Sequence, residues 1–101
     1  MLDDIREAAR SGSYLITEHL LKRLLERGID LADLEWALSE HSEVIEDYPD
    51  HHISSCCLIL CRGRTGKWYH VVSSGPPVVA WITVYEPDPG QWSEDLRRRL
   101  Q

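Results

Sequence analysis

The chain has 101 residues, of which 43% are hydrophobic and 28% charged, as expected for one globular domain spanning residues 1–101. Seventeen acidic against 11 basic side chains give a net charge of −6, which argues against a general nucleic-acid coat protein. The N-terminus does not resemble a signal peptide, the longest apolar run is far too short for a membrane span, and three cysteines favour reduced thiols. We therefore expect a cytoplasmic protein without a membrane segment.

The charge is unevenly distributed along the chain. Residues 1–50 carry five basic and 13 acidic side chains, whereas residues 51–83 carry Arg62, Arg64 and Lys67 and no acidic residue. This distribution predicts a locally positive sheet within an acidic protein.

Three helices are predicted in the first half of the chain. Residues 2–11 form the first, which the Ser-Gly-Ser sequence at residues 11–13 ends. The second begins after Thr17, a good N-cap, and ends at Gly28, which tolerates the left-handed conformation. Asp30 is a predicted N-cap for the third helix, residues 31–40.

The second helix has two distinct rows of side chains. Its predicted buried face is formed by four leucines: Leu20, Leu21, Leu24 and Leu25. His19, Arg23 and Arg27 follow one another at i, i+4 spacing along one edge of that face. We call these three residues the arginine row. Such a row of basic groups is unexpected in a chain with so many acids, and we interpret it as a candidate anion site.

Four strands are predicted in the second half, because turn sequences rich in Gly and Pro separate short apolar segments. Their predicted ranges are residues 43–48, 53–62, 67–74 and 78–86. Short turns between consecutive strands indicate an antiparallel meander, and residues 92–100 are predicted to form a short C-terminal helix. The expected fold is α+β, with N-terminal helices packed on one face of a four-stranded antiparallel sheet.

Side chains on a strand alternate between its two faces, which predicts a polar and aromatic surface. On the last strand, Val78, Ala80, Ile82 and Val84 are assigned to the core. The opposite face, together with the preceding strand, is then expected to present five side chains: Trp68, His70, Trp81, Thr83 and Tyr85.

Several blocks of this sequence resemble the small bacterial family called domain of unknown function 4258. The blocks are Thr17-x-His19-x3-Arg23-x3-Arg27-Gly28-Ile29, then residues 44–48, 55–60, 70–72 and 82–87, with Trp92. The resemblance covers roughly residues 14–92. The helix-then-sheet order is more distantly similar to RelE-like and BrnT-like toxins of toxin–antitoxin pairs. That similarity implies a metal-independent ribonuclease without a cofactor, with RNA as substrate and an antitoxin protein as partner.

RNA cleavage by 2′-hydroxyl attack needs a base, an acid and stabilisation of charge on the phosphate. We assign the acid and base roles to His19 and His70, because imidazole changes charge near neutral pH. Arg23 is expected to stabilise the developing charge, and Tyr85 to assist as a hydrogen-bond donor.

The remaining predicted RNA contacts are Arg27 and Thr83, with Trp68 and Trp81 as an exposed pair on which bases stack. For each of these residues a structural role is an open alternative. Arg23 is within reach of Glu26, and His, Thr and Tyr are ordinary residues in a packed strand.

Two other motifs are weaker. His51, His52, Cys56, Cys57 and Cys61 invite a metal site, but adjacent strand residues point to opposite faces, so buried thiols without a metal are expected. Residues 20–40 could be read as a helix-turn-helix, but the second helix carries acids and no Lys or Arg, which DNA phosphates would repel.

A function of a different class remains open, namely a non-enzymatic protein-interaction module. In that case the aromatic sheet face is a protein interface and the arginine row binds an acidic partner. Homodimerisation through an open sheet edge is a further possibility.

Overall fold

The structure is a computed structural model that describes residues 1–49 and 55–100. Within these residues the fold is α+β, with three helices and a mixed five-stranded sheet of order β1-β5-β4-β3-β2. The elements in chain order are α1 (Leu2–Ser11), β1 (Leu15–Ile16), α2 (Glu18–Arg27), α3 (Leu31–Glu40), β2 (Ser42–Tyr48), β3 (Cys56–Arg62), β4 (Trp68–Ser74) and β5 (Ala80–Tyr85).

The predicted ends of the three N-terminal helices are confirmed, and local capping chemistry sets both ends of α2 and the start of α3. The Thr17 hydroxyl accepts a hydrogen bond from the Leu20 N–H at 3.1 Å, and Asp30 caps α3 by accepting from the Ala32 N–H, also at 3.1 Å. Gly28 ends α2 in the left-handed conformation, with φ +63°.

The sheet contains the four predicted antiparallel strands and one more, so the prediction of a purely antiparallel, four-stranded sheet was wrong. The additional strand, β1, pairs in parallel with β5, and Leu15 lies opposite Ala80. Because β1 has only two residues, it shows no alternating pattern that a sequence reading could detect.

A register irregularity changes which residues of β5 face the helices. Thr83 pairs with Val72, but Trp81 pairs with Ser73, so Ile82 is an extra residue that bulges out of the ladder. The core row on β5 is therefore Val79, Trp81 and Val84. Of the predicted core row, Val84 is confirmed, whereas the assignment of Val78, Ala80 and Ile82 was wrong, because alternation cannot be continued through a bulge.

Both faces of the sheet are covered. On the helix face the core includes Ile5, Leu20, Leu34, Leu38 and Ile59. On the opposite face Leu58, Leu60 and His70 are buried, and His70 contacts Trp92 and Leu96 of residues 87–100, here called the C-terminal segment.

The C-terminal segment is not the helix predicted for residues 92–100. The Ser93 N–H donates to the Arg98 carbonyl at 2.7 Å, Trp92 forms a single antiparallel bridge with Arg99, and Leu96 has φ +64°. The Asp95 carboxylate accepts hydrogen bonds from the Ser93 hydroxyl and the Arg97 N–H. Such local side-chain bonds compete with helix formation, so the segment closes into a loop.

Two arginines tie this loop to the edge strand β2. Arg97 forms an ion pair with Glu43, and Arg99 forms one with Glu46 at 2.9 Å. The Arg99 guanidinium also lies 4.8 Å above the ring of Trp92. The loop is thus held both to the sheet face and to the sheet edge.

Candidate functional site

The first part of the candidate site is made by the docking of α2 on the edge of the sheet. Where β1 ends, the Thr17 N–H donates to the Trp81 carbonyl at 3.1 Å, and the Thr17 hydroxyl donates to the Ile82 carbonyl at 2.7 Å. These bonds fix the first turn of α2 beside β5. The exposed His19 imidazole consequently lies with its Nε2 atom 3.0 Å from Thr83 Oγ1.

The arginine row continues along α2 from His19, as the i, i+4 spacing requires. Arg23 lies 3.5 Å from the Glu26 carboxylate, which confirms the ion pair expected as its structural alternative. Arg27 is exposed, and within residues 1–49 and 55–100 no carboxylate lies within ion-pair distance of it. Arg27 therefore has its guanidinium available for another anion.

The second part of the candidate site is the pair His70 and Tyr85. They are direct partners across β4 and β5, which confirms the prediction that they share a sheet face. The His70 side chain is 0% exposed, and this burial lowers the pKa of the imidazole. The neutral ring is therefore favoured.

Hydrogen bonding determines the tautomer of the neutral ring. His70 Nε2 lies 2.9 Å from the Leu96 carbonyl, which can only accept, so this nitrogen carries the proton. Nδ1, 3.2 Å from the Tyr85 hydroxyl, is then the acceptor and Tyr85 the donor. The Tyr85 proton is directed towards His70, and it is not free for a substrate unless this bond breaks.

Together these residues form two adjacent pairs and not one open cleft. Thr83 and Tyr85 lie on the same face of β5, so the pairs His19–Thr83 and Tyr85–His70 are neighbours. His19 is open to solvent, whereas the C-terminal segment covers His70. The structure does not give His70 the substrate access that direct acid or base catalysis would need.

Trp68 and Trp81 were expected to be exposed, and this prediction was wrong for Trp81. Trp68 is 37% exposed, and the Arg62 guanidinium lies above its ring. Trp81 is fully buried and stacks on Tyr14, with ring centroids 3.7 Å apart. The bulge at Ile82 explains the difference, because it turns Trp81 towards the helices.

The predicted buried face of α2 was also too wide. Leu20 and Leu24 are buried, but Leu21 is 46% and Leu25 77% exposed. Because α2 lies along the edge of the sheet, only one row of its side chains meets the core. The two exposed leucines lie on the flank of α2 away from the arginine row.

The three cysteine thiols are buried, as predicted. Burial raises the pKa of Cys57 to about 11 and also raises that of Cys61, which disfavours the thiolate that a metal would require. Within residues 1–49 and 55–100 no three His, Cys, Asp or Glu side chains are arranged to hold a metal ion. His51 and His52 lie outside the described residues.

Two contacts of His70 were not predicted, namely Trp92 and the Leu96 carbonyl. Trp92 is buried and meets the His70 ring edge-on at 4.3 Å. The sequence could have indicated the Trp92 contact, because an aromatic residue near the chain end is a candidate for packing. It could not have indicated the Leu96 carbonyl, because every residue has the same backbone carbonyl.

A comparison with protein families shows which family the chain belongs to. A family model described as Domain of unknown function (DUF4258) matches residues 16–86, well over half of the chain. The chain belongs to this family. The DUF4258 match contains His19, Arg23, His70, Thr83 and Tyr85, but neither α1 nor the C-terminal segment.

Comparisons of this DUF4258 chain with curated proteins and with solved structures gave no match. Among the described residues, no helix is both long and apolar enough to cross a bilayer.

Proposed function

We propose that this DUF4258 protein is a toxin-like ribonuclease that cleaves RNA without a metal ion and is held inactive by an antitoxin protein. The supporting observation is the exposed His19 imidazole, fixed 3.0 Å from Thr83 Oγ1 on the helix edge that carries Arg23 and Arg27. An open imidazole beside guanidinium groups offers proton transfer and phosphate binding in one place. The buried Cys57 and Cys61 thiols, which form no disulfide, are compatible with the cytoplasm as the place of action.

The proposed reaction is attack by the RNA 2′-hydroxyl on its own phosphodiester. His19 accepts the 2′-hydroxyl proton while the 2′-oxygen forms its bond to phosphorus. The bond from phosphorus to the 5′-oxygen breaks, and the leaving 5′-oxygen takes a proton from water. The products are a 2′,3′-cyclic phosphate and a 5′-hydroxyl, and His19 returns its proton to solvent.

The arginine row supplies the positive charge for this reaction. Arg23 is placed to stabilise the extra charge on phosphorus, while Arg27 binds a neighbouring phosphate. From His19 to Arg27 the helix rises ~12 Å, enough for more than one phosphate. Trp68 is proposed as a stacking surface for a base, and the buried Trp81 is excluded from RNA contact.

His70 and Tyr85 have an indirect role in this proposal. Because His70 is buried and accepts a hydrogen bond from the Tyr85 hydroxyl, it is a positioning residue that fixes the Tyr85 ring beside Thr83. This modifies the expectation that His70 exchanges protons with the substrate.

The test is RNA cleavage by the purified full-length protein with a chelator present. His19→Gln is expected to lower the rate about 10²–10⁴-fold, because the proton acceptor is lost. Arg23→Ala is expected to lower it about 10²–10³-fold through loss of charge stabilisation. Arg98→Ala, which changes an exposed arginine of the C-terminal segment, is the matched control and should cleave like the wild type. Cleavage that disappears with the chelator, or that survives His19→Gln, would contradict the proposal.

A second candidate function is the protein-interaction module, and the exposed leucines of α2 favour it. Leu21 and Leu25 lie one helical turn apart and offer an apolar surface to a partner or a second copy of the chain. Absence of cleavage from every RNA, together with a dimer mass by light scattering that Leu25→Asp returns to the monomer mass, would support this candidate instead.

A further inference from the structure

A group of basic and aromatic residues lies beside the β3–β4 turn, away from His19. The Arg64 guanidinium lies 5.2 Å above the Trp36 ring, and Trp36 lies 5.0 Å from the His41 ring. The His41 carbonyl accepts the Arg62 N–H at 3.1 Å, and Arg62 lies 5.2 Å above Trp68. We call these five residues, Trp36, His41, Arg62, Arg64 and Trp68, the β3–β4 surface.

The acidic side chains beside this surface are paired with other groups. Within the described residues neither Arg62 nor Arg64 has a carboxylate at ion-pair distance. The neighbouring acids are engaged elsewhere: Glu40 pairs with Arg10, and Glu43 pairs with Arg97. Lys67, at the end of the same turn, adds a third cation.

The surface is concave. A cavity of about 400 Å³ lies between Trp36, His41 and the turn, and a second of about 380 Å³ is lined by His41, Arg62 and Trp68. His41 and Arg62 line both cavities, so the two form neighbouring depressions. Depressions of this size accommodate a planar group such as a nucleobase.

The β3–β4 surface lies at the same end of the molecule as the end of the arginine row. A further cavity of about 580 Å³ is lined by Gly28, which directly follows Arg27, and by Arg64 and Lys67. Asp30 and Asp33 also line this cavity. The Asp30 carboxylate accepts a hydrogen bond from the Ala32 N–H, and the two Asp33 carboxylate oxygens accept from the Arg64 N–H and the Tyr69 hydroxyl. The two basic surfaces are therefore neighbours.

We propose that the β3–β4 surface, which includes Trp68, extends the RNA-binding surface and holds a single strand next to the segment that meets His19. The proposal rests on the proposed ribonuclease function and extends it to substrate binding. Guanidinium groups alternating with aromatic rings match the alternation of phosphates and bases along a single strand. An acidic peptide would match the cations but would leave the aromatic rings of Trp36 and Trp68 without a stacking partner from the ligand.

The test is binding of a fluorescent RNA of about 12 nucleotides, within the range covered by single-strand binding sites, to the His19→Gln protein, measured by anisotropy. Adding Trp68→Ala is expected to weaken binding roughly 5- to 150-fold through loss of stacking. Adding Arg64→Ala is expected to weaken binding and to reduce the slope of log affinity against log salt by about 0.7, the value for one phosphate contact on a single strand. Adding Arg98→Ala is the matched control and should leave both unchanged.

The outcomes separate this proposal from the ribonuclease function. If the variants at Arg64 and Trp68 bind RNA as tightly as the His19→Gln protein, the proposal that the β3–β4 surface binds RNA is wrong, whether or not the wild type cleaves RNA. Weakened binding in these variants supports it, even where cleavage is not observed. Competition by poly-glutamate as effective as that by unlabelled RNA would also overturn it. Circular dichroism spectra of all variants establish that each is folded.

Discussion

At the scale of single residues, His70 links the sheet to the C-terminal segment. Its two nitrogens bond in opposite senses, one donating to the Leu96 carbonyl and the other accepting from Tyr85. Only the neutral ring can do both, because a protonated imidazole has no acceptor. Protonation of His70 therefore breaks the Tyr85 bond in addition to placing a charge in a buried site.

This coupling predicts that the protein loses stability in mild acid. In the unfolded chain the imidazole binds a proton below its usual pKa of 6.5, whereas the buried ring, with its lowered pKa, stays neutral. The unfolded state then binds more protons, so the free energy of unfolding falls as pH drops below 6.5 towards the folded pKa and is highest above 6.5. Urea unfolding at a series of pH values measures this slope.

The matched variant is His70→Leu, which removes the titrating group but leaves two polar partners unbonded. We expect it to lower stability at neutral pH by about 1–3 kcal/mol for each unsatisfied group and to flatten the slope below pH 6.5. A slope equal to that of the wild type would show that another group causes the acid sensitivity.

At the scale of elements, α2 is a helix at the edge of a sheet, and this position explains its composition. Leu20 and Leu24 pack on the core, whereas Leu21 and Leu25 remain exposed on one flank and the arginine row occupies the other. An edge helix therefore presents two different surfaces to solvent. The arginine flank is the one that the proposed ribonuclease function uses, and the leucine flank is the one that favours the second candidate function of protein contact.

Leu24 and Leu25 offer a direct measurement of this geometry. Leu24→Ala is expected to lower the free energy of unfolding by about 2–5 kcal/mol, because it leaves a cavity in the core. Leu25→Ala, at a residue 77% exposed, should change it by no more than about 0.5 kcal/mol. If urea unfolding showed the same loss of stability for both variants, Leu25 would have to be buried like Leu24.

The predictability of each element depended on how local its determinants are. Thr17, Gly28 and Asp30 fixed the helix ends because capping involves neighbours in sequence. The bulge at Ile82 could not be detected from the sequence, since a bulge is defined by the partner strand. It places Trp81 on the sheet face opposite to the one predicted. The His19–Thr83 contact likewise depended on β1, which is too short to predict.

At the scale of the whole molecule, the sheet needs a cover on both faces. The helices supply one, and the C-terminal segment, which lies beyond the DUF4258 match, contributes to the other. Without this segment His70 would lose its contacts with Trp92 and Leu96. The prediction of a helix over residues 92–100 missed this role, because Ser93 and Asp95 favour a closed loop.

Trp92→Ala measures the contribution of this cover. The side chain is 5% exposed, so its removal is expected to lower the free energy of unfolding by about 3–5 kcal/mol and to speed hydrogen exchange around His70. Trp68→Ala is the control at a partly exposed tryptophan and should cost less. Equal losses for the two variants would argue that the segment is not an integral part of the fold.

The pairing of β1 with β5 also determines when the candidate site can form during synthesis. His19 and Thr83 are 64 residues apart in sequence, and the Thr17 contacts with Trp81 and Ile82 span a similar length. Such non-local contacts form late, because a long loop must close before they give any stability. On the ribosome α2 emerges early but has no strand to dock on until most of the chain has been made. An incomplete chain released before residue 83 consequently cannot assemble the His19–Thr83 pair.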